Sequence, residues 1–582
     1  MKRIYNKVAV TTAVTLTLTL VGYSCKDSFL EVLPTGQVSS TQLTTKKGLD
    51  GALISVYGQL NGREQRMASP SNWVWGSIRG GDANKGTDPG DFSDINPIQR
   101  FEYLPSQGVI LEKWQGNYEG VARANAILRL LPNAGPDVSA SDKTQIEAET
   151  RFLRSHFYFE LKRGYNNVPY VDETVDYGTG IEKVKNDQDI WPKIEADMKF
   201  AYESLPETQA SVGRANKWAA AAYLAKIYMY QKKFTEAKAL YDLIIPNGKT
   251  SNGKKYGLVP RYADLYRPAN DNNEESVFAV QSASGTGSVN NANPEFDLNY
   301  PYNTGPNGPA GCCGFFAPSF ELANSYRTDA NGLPLLDKSY NLPANALKND
   351  MGIKSDVAFT PDPGNVDPRL DHTIGRRGIP FLDWIVMPGY DWIRNQPNAG
   401  PYITKKYVWY KADESLVDKS SWTPAYTAMN YTIIRYADVL LMAAEAEIEA
   451  GSLSKALEYT NIVRKRAANP EGFVVNAGKP AAKYVISEYP ASAFATKDAA
   501  RAAVRFERKL ELAMEGHRFF DLVRWGTAEK EVNDYLKYDS QFLPGALGSG
   551  AKFTPNKNEY LPIPQSQIDI LGADVLKQNA GY

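Results

Sequence analysis

The chain has little of what metal-centred or nucleic-acid-binding proteins depend on. Its 582 residues include three histidines and three cysteines, and no two cysteines are spaced C-x-x-C. That scarcity argues against a zinc finger or an iron–sulfur site, and we expect no metal and no cofactor. Lysine and arginine number 65 against 66 acidic residues, a formal charge of -1, without a long block of like charges. The sequence therefore lacks the basic surface with which a protein attracts nucleic acid.

No apolar run in the sequence is long enough for a transmembrane helix. The most apolar stretch, residues 8–21, is shorter than the roughly 20 residues that span a bilayer, and threonines interrupt it. It follows a basic N-terminus and leads through Gly22 and Ser24 to Cys25, an order typical of an export signal. A cysteine after a small residue resembles the lipidation site of bacterial lipoproteins, although Gly22 stands where leucine is usual. We expect residues 1–24 to be a lipoprotein signal peptide and Cys25 to be lipidated; a plain secretory signal is the alternative.

Two segments carry the pattern of a helical hairpin. In residues 218–245, large, small and aromatic side chains fall at the offsets of a tetratricopeptide repeat: Leu224, Ala225, Tyr228, Ala237 and Tyr241. Residues 436–467 repeat the design, with Gly451 where the first helix must end. Helical periodicity elsewhere supplies two more hairpins. The sequence therefore predicts a mainly α fold, a tetratricopeptide-like scaffold of about four hairpins, at residues 40–60 with 113–131, 142–204, 216–246 and 432–468.

Two loop-rich segments, residues 61–112 and 247–430, interrupt this scaffold. They are dense in glycine, proline and asparagine, and short apolar runs within the second predict strands. Loops of this length inside a compact body are usually functional or disordered, and their tryptophan and tyrosine content argues against disorder. We therefore expect a large irregular insertion that carries short strands.

Several motifs along the chain are characteristic when taken together. The stretch that begins at Cys25 reads CKDSFLEVLPTG, and a second, internal stretch reads AETRFLRSHFYFELKRGYNNVPYVDE. Three further blocks towards the C-terminus read RYADVLLMAAEA, FERKLELAMEGHRFFDLVRWG and YLPIPQSQI. Together they resemble the mature N-terminus, an internal segment and the C-terminal blocks of the SusD/RagB family of Bacteroidetes outer-membrane lipoproteins. The resemblance implies one SusD-like domain over residues 25–582, with a C-terminal family block at 498–582.

This resemblance implies a cell-surface lipoprotein, anchored in the outer membrane through Cys25. Such a protein captures an oligosaccharide or polysaccharide and delivers it to a SusC-like, TonB-dependent transporter. Capture of peptides by the same machinery is an alternative, as are a lipid-anchored glycoside hydrolase and a pure scaffold or adhesion module. No pair of carboxylates can be assigned the spacing of about 5 to 9 Å that glycoside hydrolysis needs. We therefore expect no enzyme and no catalytic residues.

The ligand-binding residues are expected in the loop-rich segments. Sugar rings pack their C–H faces on aromatic rings, while their hydroxyls need fixed polar partners. Exposed tryptophan or tyrosine near aspartate, asparagine or arginine is therefore the pattern to look for. Three clusters have it, and we expect at least one to be exposed: Trp73, Trp75, Arg79, Asp82 and Asn84; Tyr300, Tyr302, Phe315 and Phe316; and Trp384, Tyr390, Trp392 and Arg394.

Two charged segments invite a functional interpretation that the sequence does not favour. Glu507, Arg508, Glu511 and Glu515 recur three or four residues apart on a predicted helix, which mimics a paired-carboxylate site. We expect structural ion pairs there instead. The acidic loop at Asp88, Asp91 and Asp94 lacks the EF-hand spacing and its terminal glutamate, so we expect a solvated turn and not a calcium site.

The two remaining cysteines, Cys312 and Cys313, are adjacent in the chain. After export they lie outside the reducing cytoplasm, where thiols tend to oxidise. Adjacent Cα atoms lie about 3.8 Å apart across a trans peptide, closer than the usual disulfide separation, so closure stores strain. The sequence leaves open a vicinal disulfide, placed as an apolar plate beside Phe315 and Phe316, or two packed free thiols.

Overall fold

A computed structural model describes residues 40–62 and 66–582 of the protein. The expected signal peptide at residues 1–24 and the expected lipidation of Cys25 lie outside these residues. Within them, none of the helices combines the length and the hydropathy of a membrane span.

The described chain is mainly helical. The α-helices are α1 Ser40–Leu43, α2 Lys46–Gly58, α3 Ile95–Arg100, α4 Gly108–Leu130, α5 Ala140–Tyr165, α6 Trp191–Ser204, α7 Lys217–Tyr230, α8 Phe234–Asn247, α9 Phe320–Ser325, α10 Leu370–Thr373, α11 Gln396–Ala399, α12 Tyr436–Ala450, α13 Leu453–Ala467, α14 Lys497–Glu511, α15 Arg518–Trp525, α16 Ala528–Asp539, α17 Pro544–Leu547 and α18 Gln565–Leu571. From α4 to α8 each helix packs against the next, and α8 packs against α12. The scaffold therefore continues across the insertion that separates α8 from α12 in the sequence.

Local sequence signals set where the scaffold helices begin. Ser139 and Asp142 form a capping box at the start of α5, each accepting a hydrogen bond from the backbone of the other. At the start of α7, the side chain of Asn216 accepts a hydrogen bond from the N–H of Ala219 at 2.9 Å. Small side chains, such as the fully buried Ala225, let neighbouring helices approach closely. These features confirm the predicted tetratricopeptide-like scaffold.

The loop-rich segments contain short strands, as predicted. Within the described residues the chain has four two-stranded antiparallel sheets, the last of which lies after α13, outside these segments. The strands are β1 Ala83–Gly86 paired with β3 Phe315–Pro318, β2 Ser276–Val280 with β6 Tyr431–Arg435, β4 Ile374–Gly375 with β5 Ile403–Thr404, and β7 Val475–Asn476 with β8 Lys479–Pro480. The β2–β6 pair joins the two ends of the insertion and so returns the chain to the scaffold at α12.

Buried ion pairs connect the C-terminal family block to the insertion and the scaffold. Arg369 Nη1 lies 2.7 Å from Glu507 Oε1 and 2.9 Å from Glu511 Oε2. Arg435 Nε lies 2.8 Å from Glu515 Oε2. All these side chains are at most 4% exposed. The prediction that the carboxylates of this block are structural is therefore confirmed.

Candidate ligand-binding site

The first sequence cluster, at residues 73–84, is buried. Trp73 is 3% exposed, and Trp75, Arg79, Asp82 and Asn84 are each 1% exposed. The indole N–H of Trp75 donates to the carbonyl of Met67 at 2.8 Å. The prediction of an exposed aromatic platform is wrong for this cluster, because its side chains fill the junction between the insertion and the C-terminal helices.

Arg79 shows what the first cluster does instead. Its guanidinium lies 3.8 Å from the ring centre of Phe519, on α15. It also donates to the carbonyl of Asn558 at 2.6 Å and to the hydroxyl of Tyr103 at 2.8 Å. A buried arginine held by a ring and two acceptors fixes the position of its segment, and it presents no group to a ligand.

The second and third clusters lie beside the first, but most of their members are also buried. The buried ones are Tyr300, Phe315, Phe316 and Trp392. The ring centre of Phe316 is 5.6 Å from that of Trp73, and Asn84 pairs with Ala317 between β1 and β3. The N–H of Tyr302 donates to the carbonyl of Trp392 at 2.9 Å. The three clusters therefore form one substructure, from which Tyr302, Trp384, Tyr390 and Arg394 emerge half-buried.

Arg394 organises the exposed part of this substructure. Its Nε lies 2.7 Å from Asp88 Oδ2, its Nη1 pairs with Asp91, and its guanidinium lies 5.2 Å from the ring centre of Tyr302. Asp94 lies apart from this pair, at the N-terminus of α3. Because one guanidinium pairs with both carboxylates, the acidic loop is a salt-bridged turn. We call Tyr302, Asp88, Asp91 and Arg394 the Tyr302 rim.

The adjacent cysteines lie in the loop beside the Tyr302 rim. Cys312 and Cys313 form a vicinal disulfide, and Cys313 is 7% exposed. Gly314 follows with a φ of +77°, and a side-chain carbon there would lie 3.5 Å from Cβ of Arg394 and 3.7 Å from Cβ of Tyr302. Of the two alternatives that the sequence leaves open, the structure contains the disulfide.

A polar cavity of about 450 Å³ opens where α2 and α4 meet the insertion. Its volume falls within the range of roughly 300 to 1,000 Å³ that is usual for small-ligand sites. Scaffold and insertion both contribute to its lining, which includes Ser55, Arg66, Arg123, Asn290, Glu295 and Tyr426. We call it the Glu295 cavity. The cavity could not be predicted from the sequence, because its residues come from four distant parts of the chain.

Glu295, which lines this cavity, has one unsatisfied acceptor oxygen. Its Oε2 accepts hydrogen bonds from the hydroxyl of Ser69 and from the N–H of Ser71 at 3.2 Å. Its Oε1 is buried and accepts no hydrogen bond from the residues that the structure describes. Burial raises the pKa of Glu295 to about 7. A buried acceptor without a partner costs free energy, and a ligand hydroxyl that donates to it recovers that cost.

Polar side chains lead from Arg66 to the exposed Trp422. Arg66 Nη1 lies 2.9 Å from Asp297 Oδ1. The hydroxyl of Tyr426, which lines the cavity, lies near both Asp297 and the indole of Trp422. Trp422 is 62% exposed, more than any other tryptophan of the described chain. An exposed aromatic face thus lies next to a polar cavity with a buried carboxylate.

Trp422 is the main residue that sequence reasoning missed. It stands in the segment KSSWTPAY, where serine, threonine and proline indicate a surface loop. That signal was available, and the charged Asp418 and Lys419 stand closer to Trp422 in the sequence than Asp82 and Asn84 stand to Trp75. What the sequence does not show is the cavity beside it, because Arg66 and Asp297 lie more than a hundred residues away.

Sequence profiles of known families match most of the chain. The SusD family profile matches residues 274–582, more than half of the protein. The chain belongs to the SusD family. A second SusD-like profile, described as "Starch-binding associating with outer membrane", matches residues 29–229. The family predicted from the sequence motifs is confirmed.

Individual SusD proteins resemble the whole chain. SusD-like protein P2 of Formosa agariphila is 26% identical, and the match covers 98% of this chain and 99% of that protein. A SusD superfamily crystal structure from Bacteroides vulgatus has a TM-score of 0.67 at 21% identity, covering 92% of this chain and 99% of that one. Surface glycan-binding protein A of Bacteroides thetaiotaomicron, solved with laminarihexaose, has a TM-score of 0.63 at 21% identity with the same coverage. These likenesses confirm the predicted fold class.

Proposed function

We propose that this SusD-family protein binds an oligosaccharide or polysaccharide at the cell surface and delivers it to a SusC-like transporter in the outer membrane. The observation that carries the proposal is the exposed Trp422 next to the Glu295 cavity, whose buried carboxylate has an unused acceptor. An apolar plate beside fixed polar groups is the combination that sugars need. Family membership supports the delivery step.

Each part of the site has a distinct role in this proposal. The indole face of Trp422 packs against the C–H face of one sugar ring. A hydroxyl of the ring inside the cavity donates to Glu295 Oε1, and Arg66, whose side chain is 30% exposed, donates to ring or hydroxyl oxygens. A cavity of about 450 Å³ encloses only a short part of a polysaccharide. The rest of the chain therefore passes over the surface around Trp422.

The names of the similar proteins indicate which glycan to test first. One structural neighbour is described as a laminarin-binding SusD-like protein, another was solved with laminarihexaose, and a matching family profile is described as starch-binding. All three point to neutral glucans. Laminarin and amylopectin are therefore the first polysaccharides to test, followed by charged and mixed polysaccharides.

Affinity electrophoresis of residues 26–582 in gels that contain each polysaccharide tests the proposal. We expect at least one polysaccharide to retard the protein, and the W422A variant to migrate as in a gel without polysaccharide. The matched control is Ile570→Ala, at a side chain that is 73% exposed on α18 and is not part of the cavity lining. Equal retardation of wild type and W422A by every polysaccharide tested would show that Trp422 is not part of the binding site. A peptide mixture run by calorimetry tests the alternative ligand class.

The Tyr302 rim, with Trp384 and Tyr390, is proposed as a second contact surface for the same glycan. Tyr302, Trp384 and Tyr390 are half-buried, so each exposes part of its ring. The disulfide of Cys312 and Cys313 adds apolar surface beside them. A Tyr302→Ala variant in the same gels should weaken retardation by long polysaccharides and leave the binding of short oligosaccharides unchanged.

Glycoside hydrolysis is the second candidate function, because Glu295 lines the cavity and a second buried carboxylate, Asp297, follows it two residues later in the chain. Burial raises the pKa of both. We propose binding without catalysis, since Glu295 Oε2 already accepts hydrogen bonds from Ser69 and Ser71, and Asp297 is already paired with Arg66. Release of reducing ends from a retained polysaccharide, abolished in E295Q, would establish the hydrolase instead.

A further inference from the structure

A basic groove lies on the scaffold between α12, α14 and α15. It consists of two adjoining hollows with volumes of about 210 and 200 Å³, and Arg505 and Trp525 line both. Each hollow is smaller than the roughly 300 Å³ at which ligand pockets usually begin, so it fits a single small group. None of its residues lines the Glu295 cavity. We call it the Arg505 groove.

Carboxylates neutralise the arginines on either side of Arg505. Arg524 Nη1 and Nη2 each lie 2.7 Å from an oxygen of Glu445. Arg501 Nε lies 2.6 Å from Glu449, at the other end of the same hollow. Both acidic side chains are therefore already engaged in bidentate pairs with arginines other than Arg505.

Arg505 itself has no such partner. Among the residues that the structure describes, none forms an ion pair or hydrogen bond with its guanidinium, which lies 4.9 Å from the ring centre of Trp525. It is half-buried. Burial lowers the pKa of Arg505, Glu445 raises it, and Arg524 and Arg501 lower it further. A partly desolvated guanidinium without an ion-pair partner is unfavourable, and an anion placed against it relieves that cost.

We propose that the Arg505 groove binds an oxyanion through the guanidinium of Arg505. The planar fork of a guanidinium matches two oxygens of a sulfate, phosphate or carboxylate group. The exposed Lys232, which lines the same hollow, adds positive potential at its mouth. The anion has two possible sources, a free inorganic ion or an acidic group carried by a glycan, and the chemistry of recognition is the same for both.

Thermal unfolding in sodium sulfate and in sodium chloride of equal ionic strength tests the proposal. Sulfate also stabilises proteins by exclusion from their surface, but this effect is equal in closely related variants. Wild type should therefore gain more stability from sulfate than R505Q, whose sulfate affinity should fall by about tenfold or more. R505K keeps the charge without the fork and should retain part of the effect. Lys455→Gln removes one exposed charge far from the groove and is the matched control.

A second measurement distinguishes the sources and the proposed sites. Affinity electrophoresis in dextran sulfate, with neutral dextran as the blank, shows whether a glycan-borne group enters the groove. Weaker retardation of R505Q than of wild type assigns an acidic glycan, and a sulfate-specific stabilisation alone assigns a free anion. W422A should keep the full sulfate effect, since its site is separate. Equal sulfate shifts in wild type and R505Q overturn the proposal.

Discussion

Arg435 Nη1 lies 2.6 Å from Glu511 Oε1, and both side chains are at most 4% exposed. The pair joins strand β6, at the end of the insertion, to helix α14 in the C-terminal family block. Glu511 also accepts from Arg369 at 2.9 Å and from Arg466. One buried carboxylate thus holds three guanidinium groups from three parts of the chain.

Replacing Glu511 should therefore destabilise the whole fold. Removing one partner of a buried pair leaves uncompensated buried charge, so Glu511→Gln should lower the free energy of unfolding by about 3 to 5 kcal/mol. Equilibrium unfolding in urea measures this change in the free energy of unfolding. The control is Glu458→Gln, whose side chain is 54% exposed and paired with Lys455, and it should change stability by less than about 1 kcal/mol. A loss as small for Glu511→Gln as for the control would show that the network is dispensable.

The same network makes the stability of the fold depend on pH in the acidic range. Burial alone would raise the pKa of Glu511, but the charges of Arg466, Arg435 and Arg369 hold it far below its usual value. The pKa of Glu515 is held at about 2 by Arg435 and Lys406, against the effect of burial. Carboxylates with depressed pKa values stabilise the fold above the unfolded pKa of about 4.3 and lose that contribution as the pH falls. Unfolding free energy should decrease from pH 5 towards pH 2, and less steeply in Glu511→Gln.

Glycan affinity should depend on pH through Glu295. Its pKa of about 7 means that the free protein takes up a proton there as the pH falls from 8 to 6. An ionised carboxylate accepts a hydroxyl hydrogen bond more strongly than a neutral one. Affinity for a retained polysaccharide should therefore rise from pH 6 to pH 8 in calorimetry. In E295Q the affinity should be lower and independent of pH; an unchanged pH profile in that variant would place the titrating group elsewhere.

Features that depend on residues close together in the sequence could be predicted, and features that depend on distant residues could not. The hairpin containing Ala225 and the block containing Glu511 could be predicted, because helical spacing and family motifs are local patterns. Burial of Trp73 and Arg79 could not be predicted, since it depends on Phe316 and Phe519, which are hundreds of residues away. An aromatic–polar cluster in a loop has the same composition whether it faces solvent or another segment. The Glu295 cavity escaped for the same reason, as its walls meet only in the folded chain.

The acidic loop should be insensitive to chelators. Arg394 already pairs with Asp88 and Asp91, so a calcium ion would have to displace its guanidinium. The melting temperature of the wild type should be the same in EDTA and in calcium. Arg394→Gln leaves the two carboxylates without that partner, and calcium should then raise the melting temperature of the variant. A fall of several degrees on adding EDTA to the wild type would show that this interpretation of the loop is wrong.

Lipidation of Cys25 should hold the protein at the membrane. Each buried methylene of an acyl chain contributes about 0.8 kcal/mol, so several chains anchor a protein firmly. Anchoring would also confine the protein beside the proposed transporter and raise the effective concentration of the two partners. Cys25→Ala should move the protein from the membrane fraction to the soluble fraction without changing its melting temperature. If the variant stays with membranes in cells that lack the transporter, another contact provides the anchor.

The disulfide of Cys312 and Cys313 should survive isolation of the mature protein. These are the only cysteines after Cys25, so residues 26–582 offer neither thiol another partner. An exported protein also meets an oxidising environment, in which disulfides persist.

Iodoacetamide added to the denatured, unreduced protein should therefore leave both cysteines unlabelled. Labelling after reduction should modify both, as measured by mass spectrometry of the peptide that contains them. A Cys312→Ser variant, with one thiol that cannot pair, should be labelled once under either condition and so verifies that denaturation exposes the site. Two labelled cysteines in the unreduced wild type would mean free thiols, and the apolar plate proposed beside the Tyr302 rim would then lack its covalent closure.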